Sequence, residues 1–139
     1  MIRVVLLCWM VGMGSCQGTT PHTYIDIKIG NETFHLEYVD QPADMMRGLK
    51  GRVVGSNEGM FFDLGRVMDG LTITMDGCKQ NLTVITLDER FVVLEAVWLN
   101  PDVERWEFSG KVRYLVEVGK RVEVRRGEKV TCLTDTRPL

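Results

Sequence analysis

The strict alternation of apolar and polar residues between 24 and 38 most constrains what this chain can fold into. Isoleucine occupies every second position from 25 to 29, and after Gly30-Asn31 the same spacing resumes at Phe34 and Leu36. A period of two places one set of side chains on one face of a β-strand. Glycine at the first position of a two-residue loop suits a type II′ turn, where φ is positive. The segment is therefore predicted to be a β-hairpin in which Ile27 pairs with Phe34 and Ile25 with Leu36.

Short apolar segments, separated by turn residues, continue along the rest of the chain. They lie at 59–62, 71–75, 84–87, 91–99, 112–118, 122–124 and 130–133. Between them, Pro42 after Asp40-Gln41 is typical of a helix start and Gly48 of a helix end, which predicts one short helix over about residues 41–48. The predicted fold class is mainly β: a compact β sandwich or barrel of about seven short strands with this one short helix.

The first sixteen residues resemble a bacterial lipoprotein signal. Arg3 precedes an apolar run from Val4 to Met13, and Gly14-Ser15-Cys16 follows. This run is about half as long as a membrane-spanning helix needs, and the order of basic, apolar and small residues is that of an export signal. We therefore predict a signal peptide at 1–15, a tether at 16–22 with the lipid attached to Cys16, and a single β-rich domain at 23–135. The alternatives are an ordinary signal peptide cut nearby and a non-exported chain with an apolar first strand.

This leader also predicts a location. Stable attachment to a bilayer takes more than one acyl chain. The resemblance to bacterial lipoproteins implies two or three acyl chains on Cys16. The predicted protein is therefore an extracytoplasmic, membrane-anchored lipoprotein. Gln17 is not the aspartate that often marks inner-membrane retention, so the resemblance implies the outer membrane in a Gram-negative source. Without lipid attachment, the prediction is a secreted or periplasmic protein.

Two of the four cysteines remain once the leader and the lipid site are set aside. Cys78 and Cys132 would then lie in a compartment where disulfides form. They are candidates for a disulfide, and the alternative is two buried thiols, since cysteine packs well in cores.

The chain is identified by resemblance as a member of the uncharacterised "domain of unknown function 192" family. The residues that carry the resemblance are Asp-Gln-Pro-Ala-Asp-Met-Met-Arg-Gly-Leu-Lys-Gly-Arg at 40–52 and Glu-Gly-Met-Phe-Phe at 58–62, with looser matches at 74–83, Val116-Glu117-Val118 and Gly127-Glu128. The resemblance covers roughly residues 23–132 and implies a compact, mainly β domain. It implies no reaction, and the family's Trp, Asn, Thr, Pro and Asp in the later motif are Thr74, Gly77, Cys78, Asn81 and Thr83 here.

Arg47 is the candidate ligand-binding residue, because it ends the predicted helix inside the best-matching motif. An exposed guanidinium there could bind an anion or a carboxylate. The alternative is an arginine that pairs with a helix-terminal carbonyl or with a nearby acid such as Asp44. No catalytic residue is assigned. His35 is predicted to lie opposite Asp26 in the hairpin, which is more typical of a cross-strand surface pair than of an acid–base site.

The composition gives no signature of a metal site or a cofactor. Two histidines and two separated cysteines do not make a zinc pattern. A net charge of −2 excludes bulk attraction to nucleic acid, so none is predicted as a partner. The stretch 111–129 is nonetheless locally basic, with seven basic residues against three acidic ones. It is predicted either to face an anionic envelope surface or to protect sheet edges from aggregation.

These observations lead to one functional hypothesis and one alternative. The hypothesis is an exported, lipid-anchored envelope domain that is a binding or structural module and not an enzyme. The alternative is an enzyme with a site near Arg47 and the 75–83 loop.

Overall fold

The computed structural model describes residues 5–6, 23–103 and 105–134 and is mainly β with one short helix, which confirms the predicted fold class. In chain order, the elements are β1 (Val5–Leu6), β2 (Thr23–Ile29), β3 (Glu32–Val39), α1 (Pro42–Arg47), β4 (Glu58–Ile73), β5 (Leu82–Leu87), β6 (Val93–Leu99), β7 (Trp106–Val118) and β8 (Thr131–Thr134).

The β2–β3 hairpin has the predicted register. Ile27 pairs with Phe34 and Ile25 with Leu36, and all four side chains are fully buried. Gly30 has a φ of 60°, as the first loop position of a type II′ turn requires. Local turn chemistry and the hydrophobic pattern therefore specify the same pairing.

The main strands form one mixed sheet in the order β6-β5-β7-β4-β3-β2-β8. The β3–β4 pairing is parallel, and the other pairings along this order are antiparallel. The sheet curls so that its ends approach each other. The N–H of Val93 donates to the carbonyl of Glu128, and the N–H of Val130 donates to the carbonyl of Phe91, each at 2.8 Å. Of the two predicted architectures, this curled single sheet is the barrel.

The residue at this closure, Phe91, has an unusual backbone. Its φ is 64°, and it is the only non-glycine residue with a positive φ among those the structure describes. Such a conformation persists where the surroundings hold it. Asp88 Oδ1 accepts the N–H groups of Arg90 and Val92 at 2.8 and 3.0 Å, and the Phe91 ring stacks on Tyr114 at 4.7 Å between centroids. The turn therefore aims an aromatic ring into the curled sheet while its main chain joins the two ends.

Two hydrophobic cores lie on opposite faces of the sheet. The inner core fills the inside of the curl and includes Ile25, Phe34, Phe61, Ile85 and Val116. The outer core lies against the other face and includes Leu49, Met60, Phe62, Val84 and Leu115. Neighbouring residues of β4, β5 and β7 contribute to different cores, because successive side chains of a strand point to opposite faces. The central strands are therefore buried on both sides.

The two longest strands, β4 and β7, join these cores. The apolar segments predicted separately at 59–62 and 71–75 belong largely to the single strand β4, whose pairing with β7 shifts register between Asp63 and Met68. At Gly59 the strands approach so closely that an added Cβ would lie 1.8 Å from the carbonyl oxygen of Glu117. The segment 122–124, predicted as a strand, does not form one in the structure, although Val122 is buried in the inner core.

Helix α1 follows its sequence signals. Pro42 occupies the first turn, and Gly48, with a φ of 48°, follows the last residue. The helix crosses from β3 to β4, whose parallel pairing requires a connection longer than a hairpin loop.

The predicted leader and tether lie largely outside the described residues. Cys16 is not among them. Within the leader, Val5 and Leu6 form β1 and pair in parallel with Thr72 and Ile73 of β4. Cleavage after Ser15 would remove this short strand. Across the described residues, no helix has the length and apolar character to span a bilayer.

Candidate functional site

The segment that carries the best-matching motif forms a cap over the outer core. We use "cap" for α1, residues 48–54 and residues 74–80. The N–H of Gly51 donates to the carbonyl of Gly77 at 3.0 Å. The side chain of Gln80 accepts the N–H of Val54 at 2.6 Å and donates to its carbonyl at 3.3 Å. The structure thus brings the Arg47 region and the 75–83 loop together, as the enzyme alternative requires.

Arg47 itself lies on the outside of this cap. Its guanidinium donates to Asp44 Oδ1 at 2.8 Å, and both side chains are about half exposed, at 55% and 50%. An exposed pair at this helical spacing contributes little to folding. The geometry matches the structural alternative, in which Arg47 pairs with a nearby acid.

A different arginine of the cap reaches toward the sheet. Arg52 donates to Glu37 Oε2 at 2.9 Å, and the Glu37 side chain is only 11% exposed. Glu37 is the cross-strand neighbour of Met60, which in turn neighbours Glu117. Two carboxylates therefore lie on the outer face with a methionine between them, beneath the cap.

A small cavity lies beneath the cap. It is lined by Met45, Gly48, Phe62, Ile73, Thr74, Leu115 and Glu117 and has a volume of about 20 Å³, which is room for about one water molecule.

Cys78 and Cys132 lie on opposite faces of the sheet. Cys78 packs against the outer core and Cys132 against the inner core. The structure does not join them to each other. The pairing proposed from the sequence is therefore not made here, because the sheet separates the two thiols.

His35 and Asp26 lie opposite each other, as the hairpin register predicts. His35 Nδ1 is 2.5 Å from Asp26 Oδ1, and the ring stacks on Tyr24 with centroids 4.5 Å apart. The other carboxylate oxygen accepts the hydroxyl of Thr134 at 3.2 Å. This exposed group fastens β8 to the hairpin.

A more buried polar cluster lies where β3, β4 and β7 meet, and sequence reasoning missed it. Asp63 accepts hydrogen bonds from the Tyr38 hydroxyl, the Arg113 guanidinium and the Gly65 N–H. Burial acts to raise the pKa of Asp63, but these hydrogen bonds and the charge of Arg113 outweigh it and hold that pKa below its ordinary value. The Arg113 guanidinium also lies 4.5 Å from the centre of the Tyr114 ring. Every charge here has a partner, so the cluster is structural.

Three residues of the basic stretch 111–129 are paired with acids. Lys111 pairs with Asp69, Arg113 with Asp63 and Lys120 with Glu32. The remaining four (Arg121, Arg125, Arg126 and Lys129) are exposed and have no side-chain ion pair with a described residue. The predicted basic surface therefore narrows to the segment 121–129.

Two of these four residues, Arg121 and Arg125, line a concavity beside β6. We call it the seam groove, because it lies where the curled sheet is not closed by hydrogen bonds. It has a volume of about 420 Å³ and is lined by Ala96, Val97 and Trp98 of β6 and by residues 121–125 and Glu128. This volume falls in the range of about 300–1,000 Å³ that is usual for ligand sites.

Thr83 of β5 holds the start of segment 121–125, which lies across the groove from β6. Thr83 Oγ1 donates to the carbonyl of Lys120 at 2.6 Å and accepts the N–H of Val122 at 3.0 Å. Val122 and Val124 pack on the inner core, so the alternate residues Arg121, Glu123 and Arg125 face outward. The groove thus lies between the edge of β6 and the extended segment 121–125.

No group of three or more His, Cys, Asp or Glu side chains is arranged to hold a metal ion within residues 23–103 and 105–134.

Comparison with known proteins gives fold-level likeness. No protein-family model and no curated protein matches the chain. A crystal structure from Sinorhizobium meliloti, described as a "putative transcription regulator", is similar at 15% identity with a TM-score of 0.73, covering 83% of this chain and 98% of that one. A protein of unknown function from Novosphingobium aromaticivorans is similar at 19% identity with a TM-score of 0.66, covering 79% of this chain and 84% of that one. At these identities the likeness establishes a shared fold.

Proposed function

We propose that the protein is an exported, lipid-anchored domain of the bacterial envelope that acts as a binding module, with the seam groove as its binding site. The leader pattern ending at Cys16 supports export and anchoring. The groove of about 420 Å³ beside exposed basic residues is the single observation that carries the binding role. The segment 121–129 beside it has four basic and two acidic residues, which favours an anionic ligand.

The enzyme alternative has less support. The cap brings α1 near the 74–80 segment, but the cavity described there has a volume of about 20 Å³, and Arg47 is exposed and does not line it. The resemblance to the uncharacterised family agrees with a binding module equally well, because it implies a fold and no reaction.

The export and anchoring part is tested by expressing the full chain in a bacterium and comparing it with Cys16→Ser. The expected wild-type protein sediments with membranes, and its N-terminal peptide has the mass of an acylated cysteine. The variant should lose both properties. Intact leader on the mature wild-type protein, or an unmodified N-terminus at another residue, would contradict the proposal.

The binding part is tested by thermal melting of the full chain in the presence of two anionic probes. These are poly-L-glutamate and vesicles of phosphatidylglycerol, with phosphatidylcholine vesicles as the neutral control. At least one anionic probe should raise the melting temperature. The shift should disappear in Arg121→Glu/Arg125→Glu and persist in Lys79→Glu, which changes an exposed lysine of the cap. No shift with either anionic probe would contradict a binding role for the groove.

A further inference from the structure

Among the described residues, the edge of β6 is unpaired for most of its length. β6 is the terminal strand of the sheet order, and its other side pairs with β5. Within residues 121–134, main-chain hydrogen bonds to β6 reach only Val93, whose N–H and carbonyl bond to Glu128 and Gly127. Beyond Val93 the groove separates β6 from the 121–125 segment. A strand edge of this kind presents unpaired N–H and carbonyl groups.

Antiparallel alternation identifies which residues present these groups. Successive residues of β5 bond in turn to β6 and to β7. The main-chain groups of Val93 bond to Gly127 and Glu128, so its partner Leu87 directs its own main-chain groups to β7. The next residue of β5 therefore bonds to β6, and this alternation makes Glu95, Val97 and Leu99 the β6 residues that bond to β5. Ala96 and Trp98 are left with main-chain groups directed at the groove, and both line it.

The charge beside this edge opposes the charge of the whole chain. Segment 121–129 carries Arg121, Arg125, Arg126 and Lys129 against Glu123 and Glu128, whereas the whole chain has a net charge of −2. Glu128 Oε1 accepts the N–H of Arg125 at 3.2 Å. Two of the four basic residues, Arg121 and Arg125, line the groove together with both glutamates. The segment as a whole carries a net charge of +2, which favours an acidic occupant.

We infer that the seam groove binds an extended acidic segment of another polypeptide, which adds a strand to the open edge of β6. This inference rests on the proposed binding role and names the class of ligand. Main-chain hydrogen bonds to Ala96 and Trp98 would supply affinity, and the arginines would select acidic side chains. Strand addition fits this groove better than a headgroup does, because the groove runs beside main-chain donors and acceptors rather than around a single cation.

The test measures binding of a fluorescein-labelled, end-capped octapeptide of alternating valine and glutamate to the full chain by fluorescence anisotropy. A second peptide has the same sequence with its alternate amides N-methylated, so that it keeps the charge but lacks the donors for an edge. The unmodified peptide should bind, and the N-methylated peptide should bind at least about tenfold more weakly.

Protein variants separate the two contributions. Arg121→Glu/Arg125→Glu should weaken binding at least about tenfold, and Lys79→Glu should leave it unchanged. Ala96→Pro removes one outward N–H and should weaken binding, whereas Ala96→Val keeps that N–H and should retain it. Because the peptide pair leaves the protein untouched, the N-methylation result decides the question if Ala96→Pro does not fold.

Each remaining outcome overturns this inference in a distinct way. Equal binding of both peptides would show charge recognition alone, so strand addition would fail while the binding module stood. A dimer in light scattering that Ala96→Pro dissociates would show that the occupant is a second copy. No peptide binding up to about 1 mM, together with a retained shift by phosphatidylglycerol vesicles, would place a lipid surface at the groove. Failure of every anionic probe would contradict both proposals.

Discussion

The cap and the seam groove are two different ways of finishing the same sheet. At the cap, Gly51 is bonded to Gly77 and Gln80 to both main-chain groups of Val54, leaving a cavity of about 20 Å³. At the seam, hydrogen bonds stop at Val93 and leave about 420 Å³ open. The resemblance directs attention to the cap, whereas the larger of these two concavities lies at the seam. The matched motif and the proposed binding site are therefore in different parts of the molecule.

The largest expected effect comes from the strand pair that both regions share. Gly59→Ala would place a Cβ 1.8 Å from the carbonyl oxygen of Glu117, so β4 and β7 must move apart. We expect a loss of about 3 kcal/mol in the free energy of unfolding, measured by urea denaturation. Gly55→Ala is the matched control, because its Cβ would meet only the flexible side chain of Glu58. Equal stability of the two variants would contradict this packing.

Asp63 should make stability depend on pH. Its pKa is lowered in the folded state from an ordinary value of 3.8, so its contribution is present above that value and is lost as the pH falls through the folded-state pKa. Asp63→Asn should cost about 2 kcal/mol at neutral pH, because Tyr38 and Arg113 lose a charged acceptor. Urea denaturation of both proteins across this range should show the difference shrinking in acid. A constant difference would exclude the carboxylate charge as its cause.

Arg52 tests whether the cap is held by its inward arginine. Arg52→Ala leaves the largely buried Glu37 without this guanidinium. Because Arg52 is itself 45% exposed, we expect a modest loss of about 1 kcal/mol. Urea denaturation measures the loss, and Arg52→Lys, which keeps the charge, should recover part of it. If Arg52→Ala is neutral, the pair does not fasten the cap.

Arg47 gives the matched comparison within the same cap. Its pair with Asp44 is exposed on both sides, so Arg47→Ala should change the free energy of unfolding by less than about 0.5 kcal/mol. A melting shift with the anionic probes should be preserved in this variant. Loss of that shift would show that Arg47 binds the anionic probe. The binding site would then lie at the cap and not at the seam groove.

The smallest effect on stability should come from the seam. Arg121 is exposed and has no side-chain ion pair with a described residue, so Arg121→Glu should unfold at the same urea concentration as wild type, within about 0.5 kcal/mol. Its binding should nevertheless weaken. A variant that changes binding without changing stability would distinguish the groove from the cap, where the reverse is expected.

The sequence predicted the strand content, the hairpin register and the helix, because each depends on local patterns. Periodicity and turn chemistry specify β2 and β3, and Pro42 and Gly48 bound α1. The excursion between Asp63 and Met68 was not predicted, because a register shift depends on how β4 meets β7. Segment 122–124 has a strand-like pattern but lies beside the groove instead of pairing with β6.

The candidate residues show the same division. Glu37 falls on the polar side of the alternation, which reads as solvent-exposed until the cap covers that face. Arg52 then becomes the inward arginine, although Arg47 has the more conspicuous position at the helix end. The Asp63 cluster joins three strands, and Asp63 and Arg113 alone are 50 positions apart in the sequence. No local spacing indicates such a cluster. The basic stretch was visible in sequence, but which of its members are neutralised depended on partners from distant strands.

The closure between Phe91 and Val130 has a consequence for how the chain reaches its final shape. The bonds that bring the two ends of the sheet together come from residues 127–130, near the end of the chain. Chains are synthesised from the N-terminus, so a nascent chain that lacks these residues exposes both margins of an uncurled sheet. Such margins are templates for association with other copies. Docking of residues 127–130 thus covers the margin of the sheet around Phe91 and Val93.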